Sequence, residues 1–127
     1  LKILQIKKSS EFQKIGKKGE KFYSKTLILL SLPTPSIYFQ DLKKDKKAKD
    51  FCRIGYTVSK TVGDAVTRNR AKRRLREAVR ALFLGNCKNH QDYVIIARKE
   101  IATSDFKAIS KDLKFCITRI HKAKISQ

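Results

Sequence analysis

The stretch Thr67-Arg68-Asn69-Arg70-Ala71-Lys72-Arg73-Arg74-Leu75-Arg76-Glu77-Ala78-Val79-Arg80 decides the fold. Within it and just beyond, Ala71, Leu75, Ala78, Val79, Leu82 and Phe83 recur with the period of an α-helix. That pattern predicts a long helix docked by one apolar stripe. Asn69, Arg73, Arg76 and Arg80 follow the spacing i, i+4, i+7, i+11, so they share one face, roughly opposite the stripe. Lys72 flanks that face on one side, and Arg70 and Glu77 lie on the other. From Arg68 to Arg80 seven cations stand against one acid, Glu77. Such a face repels itself until an external anion covers it.

Upstream, Phe51 to Ser59 alternates, with Ile54, Tyr56 and Val58 on one side and Arg53, Gly55, Thr57 and Ser59 on the other. This is the period of a strand. A loop from Lys60 to Asp64, containing Gly63, joins it to the helix, and Gly85-Asn86 supplies the stop. Downstream, Tyr93 to Ala97 reads as a buried strand. Thr103 or Ser104 is placed to cap a final helix with the stripe Phe106, Ile109, Leu113, Cys116, Ile117 and Ile120. Lys122 and Lys124 suit the negative end of its dipole.

Nearer the start, Ser10-Glu11-Phe12-Gln13 has the form of a capping box. It predicts a short helix that buries Phe12 and Ile15 and stops at Gly16 or Gly19. Phe22 to Leu32 is rich in strand formers and is broken by Pro33-Thr34-Pro35, after which Ser36 to Gln40 is expected as a second short strand. Asp41 to Asp50 holds five Lys and three Asp and has almost nothing to bury, so a solvated loop is expected. The expected order is α-β-β-β-α-β-α. This is an α+β fold, an α/β sandwich with three helices on a single sheet of about four strands. It forms a single domain over residues 1–127, with a lysine-rich loop at 41–50 and a basic tail at 122–127.

Composition narrows the function. Thirty-one Lys and Arg oppose eleven Asp and Glu, a net charge of +20, which points to a nucleic-acid partner. A phosphate backbone supplies the missing counter-charge, and release of its condensed ions drives binding. Arginine suits this task because its planar fork grips phosphate bidentately or stacks on a base. Asn69 donates and accepts at once, so it is suited to a base, a ribose hydroxyl or a bound hydrated metal ion. Cys52, Cys87 and Cys116 are odd in number and widely spaced, and only His90 and His121 are available beside them. A zinc site is therefore not expected, and the cysteines read as reduced, partly buried residues of a cytoplasmic protein. No apolar run approaches a membrane span, and no signal peptide is visible.

Arg68-Asn69-Arg70-Ala71-Lys72-Arg73-Arg74-Leu75-Arg76 closely resembles the signature of the bacterial ribonuclease P protein subunit family. The flanks Arg53 to Lys60, Gly63 to Val66, Asp92 to Arg98 and Phe12 to Lys14 resemble the same family, so the likeness covers about residues 7 to 120. It implies a ribosomal protein S5 domain 2-like sandwich with a left-handed βαβ crossover, where general rules favour a right-handed one. It also implies a protein that does not cut RNA itself. The partner RNA subunit would hydrolyse the phosphodiester with Mg2+ held mainly by that RNA and the substrate. The protein would bind the RNA subunit and the single-stranded 5′ leader of precursor tRNA, with no membrane and no obligate protein partner. The resemblance assigns Arg68, Asn69, Arg70, Lys72, Arg73 and Arg76 to RNA binding, the shared helix face adds Arg80, and Phe12, Lys60, Tyr56 and Leu30 are the candidates for a leader cleft between the first helix and the sheet. Phe12 reads equally well as a core residue of that helix. Gly16 stands where the family often has a second aromatic, Leu30 where some members have Tyr, and Lys43 to Lys49 looks longer than usual.

Three rivals are weaker. A stand-alone nuclease needs clustered carboxylates or a placed histidine, and the acids here are scattered. A ribosomal protein would share the charge but not the Arg68 to Arg76 motif. A membrane-active helix would leave the last stripe exposed, and that stripe is better explained by docking on the sheet.

Overall fold

The structure, a computed structural model, describes residues 2–37, 50–83 and 86–125, with side chains described as far as Ile120. Five strands form one sheet: β1 (Lys2–Gln5), β2 (Glu20–Tyr23), β3 (Leu27–Pro33), β4 (Phe51–Thr57) and β5 (Gln91–Ala97). Three helices are α1 (Ser9–Lys18), α2 (Ala65–Leu82) and α3 (Phe106–Ile125), and a 3-10 helix spans Lys99–Thr103. The sheet order is β1-β4-β5-β3-β2. The β1/β4 and β4/β5 pairs are parallel, and β5/β3 and β3/β2 are antiparallel.

The α+β class stands, with one strand more than expected. That strand, β1, is four residues long and pairs with β4 across nearly fifty residues, so nothing local announces it. The stretch expected as one strand over Phe22 to Leu32 is a hairpin, turned at Ser24-Lys25-Thr26. Its turn contains neither Gly nor Pro; the Ser24 hydroxyl and N–H both donate to the Leu27 carbonyl instead. Ser36 and Ile37 are helical rather than extended. The rest of the expected second strand, the lysine-rich loop to residue 49, Gly85 and the side chains of His121, Lys122 and Lys124 lie outside the described residues. The α3 backbone continues to Ile125, so the segment read as a tail begins inside a helix.

Helices α2 and α3 cover one face of the sheet. Their stripes bury Ala71, Leu75, Ala78, Val79, Ile109, Leu113, Cys116, Ile117 and Ile120 against Leu27, Leu29, Cys52, Ile54, Tyr93 and Ile95. Phe106, expected in the stripe, is 40% exposed because it sits in the first turn, before the helix settles on the sheet. Asp105 caps that turn by accepting the Ala108 N–H at 2.8 Å, so neither Thr103 nor Ser104 is the cap. Thr103 ends the 3-10 helix, and the Ser104 carbonyl accepts from Arg74. Asp64 caps α2 through the Thr67 N–H, a bond that holds its carboxyl below the ordinary carboxylate range. At the other end the Asn86 amide donates to the Leu82 carbonyl.

Helix α1 covers the opposite face. Ile15 is buried there with Ile6, Leu30 and Val94, and Phe12 packs at the margin. The expected capping box does not form: the helix starts at Ser9, and Lys8, in the cap position, makes no side-chain bond. Glu11 is engaged elsewhere. Beneath α1, Arg53 is 2% exposed and is held by three oxygens. Its Nε and Nη2 donate to Asp92 Oδ1 and Oδ2 at 2.7 and 2.5 Å, and Nη1 meets Glu11 Oε2 at 2.5 Å. Thr34 Oγ1 also donates to Asp92 Oδ1. Burial alone would lower the Arg53 pKa, but the two carboxylates outweigh it and hold the value above the ordinary one.

Candidate nucleic-acid interface

The apolar stripe of α2 fixes which way its cations point. Asn69, Arg70, Arg73, Arg76 and Arg80 are exposed, whereas Arg68, Lys72 and Arg74 are half-buried on the flanks. Among the described residues the ion pairs are those of Arg53 and none reaches the α2 arginines, although Arg70 and Arg68 lie near enough to Asp64 to help lower its pKa. Glu77, the helix's own acid, is exposed and pairs with none of them. Arg74 is spent on the Ser104 carbonyl at 2.8 Å and ties α2 to the segment before α3. The Nε of Arg68 is buried without a hydrogen-bond partner among the described residues.

Tyr56 does not join the other leader-cleft candidates. It lies on the α2 face, where the Arg76 guanidinium stands 5.9 Å from its ring centroid. Burial pushes its hydroxyl pKa up to about 12, although Arg76 and Arg80 pull the other way. Tyr56 and both arginines border an open cleft of about 450 Å³ against β1. It packs beside the arginine row. Phe12 and Leu30 share the other face, but Leu30 is 1% exposed beneath α1 and offers no surface to a ligand. At Gly16 a Cβ would meet nothing within 4 Å, so that departure from the family does leave open space.

On the sheet face that carries Phe12 lies a row the sequence reading missed. Ile28, Ile96 and Thr57 are in register across β3, β5 and β4, and all three are half-buried. They lie one pleat beyond Leu30, Val94 and Gly55, which are buried. Alternation from Leu27 and Leu29 would have put Ile28 on this face, but only the seating of α1 tells which part of the face stays open. Lys60 is exposed just past the end of β4, at the same end of the sheet. Gly55 sets how low Phe12 sits, because a Cβ there would fall 2.6 Å from Cε1 and Cζ of the Phe12 ring and 3.2 Å from Ile6 Cβ. Gly55→Ala is expected to push Phe12 from its seat and to cost about 1–3 kcal/mol. A double-mutant cycle with Phe12→Ala, read by denaturant melts, checks this: most of the penalty should vanish once the ring is gone.

Among the described residues no three His, Cys, Asp or Glu side chains come together as a metal site, and no helix is long and apolar enough to cross a membrane. The three cysteines are free; the Cys52 and Cys87 sulfurs lie 3.0 Å apart.

A family model described as Ribonuclease P matches residues 2–121. The chain belongs to the ribonuclease P protein family. The ribonuclease P protein component of Paramagnetospirillum magneticum is 36% identical over 116 residues, covering 91% of this chain and 81% of the relative. That of Gluconacetobacter diazotrophicus is 39% identical over 110 residues, covering 87% and 84%. The solved RNase P protein of Staphylococcus aureus superposes with a TM-score of 0.70 at 28% identity, over 93% of this chain and 94% of that one. Membership makes this chain a ribonuclease P subunit, a component of tRNA processing with an RNA partner in the ribonucleoprotein.

Proposed function

We propose that this ribonuclease P protein docks the exposed arginine face of α2 on the catalytic RNA and holds the 5′ leader of precursor tRNA in the groove beside α1. The observation that carries the reading is the row Asn69, Arg73, Arg76 and Arg80, turned to solvent with no acid ion-paired to it among the described residues. Arg68, Arg70 and Lys72 flank the row and extend its reach along a phosphate backbone. In the groove, Ile28, Ile96 and Thr57 form the floor, Phe12 forms one wall suited to a leader base, and Lys60 reaches a phosphate at the exit.

The protein is the non-catalytic subunit, and the RNA carries the endonucleolytic hydrolysis. Mg2+ is held by RNA and substrate phosphates. Asn69, a neutral amide among arginines, contributes at most a hydrogen bond to a water of the hydrated ion. The reaction yields the mature 5′ end of tRNA and takes place in the cytoplasm, with no further protein needed.

Reconstitution with the cognate RNA at near-physiological Mg2+ tests this. Precursor tRNA with a leader of several nucleotides is expected to bind the holoenzyme more tightly than mature tRNA. Phe12→Ala should shrink that preference while leaving affinity for mature tRNA unchanged. The protein alone with Mg2+ should leave precursor intact. Equal affinities for precursor and mature tRNA would remove the groove from the mechanism, and cleavage that co-purifies with the protein would remove the division of labour.

A further inference from the structure

The outward face of α3 carries a second cationic row that the α2 motif does not account for. Lys107, Lys111, Lys114 and Arg119 are all exposed, on the side away from the buried stripe through Ile109, Leu113 and Ile120. In their midst stands Phe115, 49% exposed, with the Arg119 guanidinium 5.1 Å from its ring centroid. Lys111, Lys114, Phe115, Thr118 and Arg119 line a shallow groove of about 380 Å³. A lone exposed Phe is ordinary. A Phe sharing its groove with three cations is a combination with a chemistry of its own.

The acids of this helix are already committed. Asp105 accepts the Ala108 N–H, and Asp112 accepts both the N–H and the hydroxyl of Thr26. Among the described residues no ion pair reaches the α3 cations. The occupant must therefore bring negative charge and a flat apolar face together. A second copy of this chain would set row against row at a charge of +20 each, and repulsion opposes it. Single-stranded RNA supplies both requirements: phosphates at intervals, and between them bases free to stack on an aromatic ring or a guanidinium plane. A duplex offers the phosphates but keeps its bases stacked on each other.

We infer that the outer face of α3 is a second RNA contact that takes an unpaired nucleotide, its base stacked on Phe115 and its flanking phosphates on Lys111, Lys114 and Arg119. It stands on α3's own residues and does not depend on the α2 row or on the groove beside α1.

The test uses the full chain, a labelled single-stranded RNA of about a dozen nucleotides and a blunt duplex of the same length. Phe115→Ala should weaken single-strand binding about 5- to 100-fold and leave duplex binding unchanged. Phe115→Tyr should restore it. Photocrosslinking of the single strand should recover the α3 peptide containing Phe115. The side chain is half exposed and its Arg119 contact lies at the surface, so the melting temperature should fall only slightly. Unchanged single-strand affinity of Phe115→Ala would overturn the inference. So would equal losses on strand and duplex, or loss of a dimer in sedimentation with RNA affinity intact, which would make a second copy the occupant. Arg73→Ala/Arg76→Ala serves as the separate arm: its duplex and single-strand losses report on the α2 face, so failure of either surface is seen without the other.

Discussion

Replacing Asp92 with Asn is expected to destabilise the fold by about 3–5 kcal/mol, the usual cost of stranding one partner of a buried ion pair. Asp92 is 1% exposed and accepts from Arg53 Nε, Arg53 Nη2 and Thr34 Oγ1. The amide keeps the shape but removes the charge and turns one acceptor into a donor aimed at a guanidinium. Arg53 then keeps a full charge under α1 with Glu11 as its remaining carboxylate among the described ion pairs, and Glu11 is partly open to water. A domain of this size should lose on the order of 10–20 °C in melting temperature. Glu11→Gln should cost much less, since its carboxylate is more solvated. Replacing Arg53 and Asp92 together with apolar residues of similar volume should recover much of the loss, because desolvation consumes most of what a buried pair contributes. A fall of less than about 1 kcal/mol for Asp92→Asn in a denaturant melt would mean that the cluster is wetter than its geometry implies.

That cluster marks where sequence reading ran out. Period-two alternation put Arg53 and Gly55 on the side opposite Ile54 and Tyr56, and the structure agrees. Alternation names a side but does not say whether that side is covered. Arg53 is buried only because α1, some forty residues earlier, packs on β3 and β5 and brings Glu11 to it. The same gap hid which cover Tyr56 lies under. Its position on the strand places it under α2 with Arg76, whereas Phe12 packs on the other face. What could be read was local: the helical stripe of α2, the outward turn of its arginines and the buried run of β5. The edge strand β1 and the glycine-free turn of the β2–β3 hairpin are set by long-range pairing and by side-chain bonds, which composition does not record. Asp105 replaced Thr103 and Ser104 as the cap because a 3-10 helix uses up the residues before it.

The arginine face yields the sharpest prediction about function. Removing Arg73 and Arg76 together is expected to weaken binding to the ribonuclease P RNA and to flatten its salt dependence. Each lost phosphate contact takes about 0.7–0.9 from the log–log slope, so the pair should take about 1.4–1.8. The defect should be largest in dilute salt and should fade as salt rises, because the missing term is counterion release rather than shape. The two residues are not equivalent. Arg73 stands free on the exposed face, so Arg73→Ala reads charge alone. Arg76 also lies over the Tyr56 ring, so Arg76→Ala removes packing as well and should lower the melting temperature slightly. Lysine substitutions separate charge from geometry. Arg73→Lys/Arg76→Lys should keep the slope near wild type, and any affinity still lost measures the bidentate fork. An alanine pair whose slope matched the wild type would take this face out of the interface, whatever its effect on affinity at a single salt concentration.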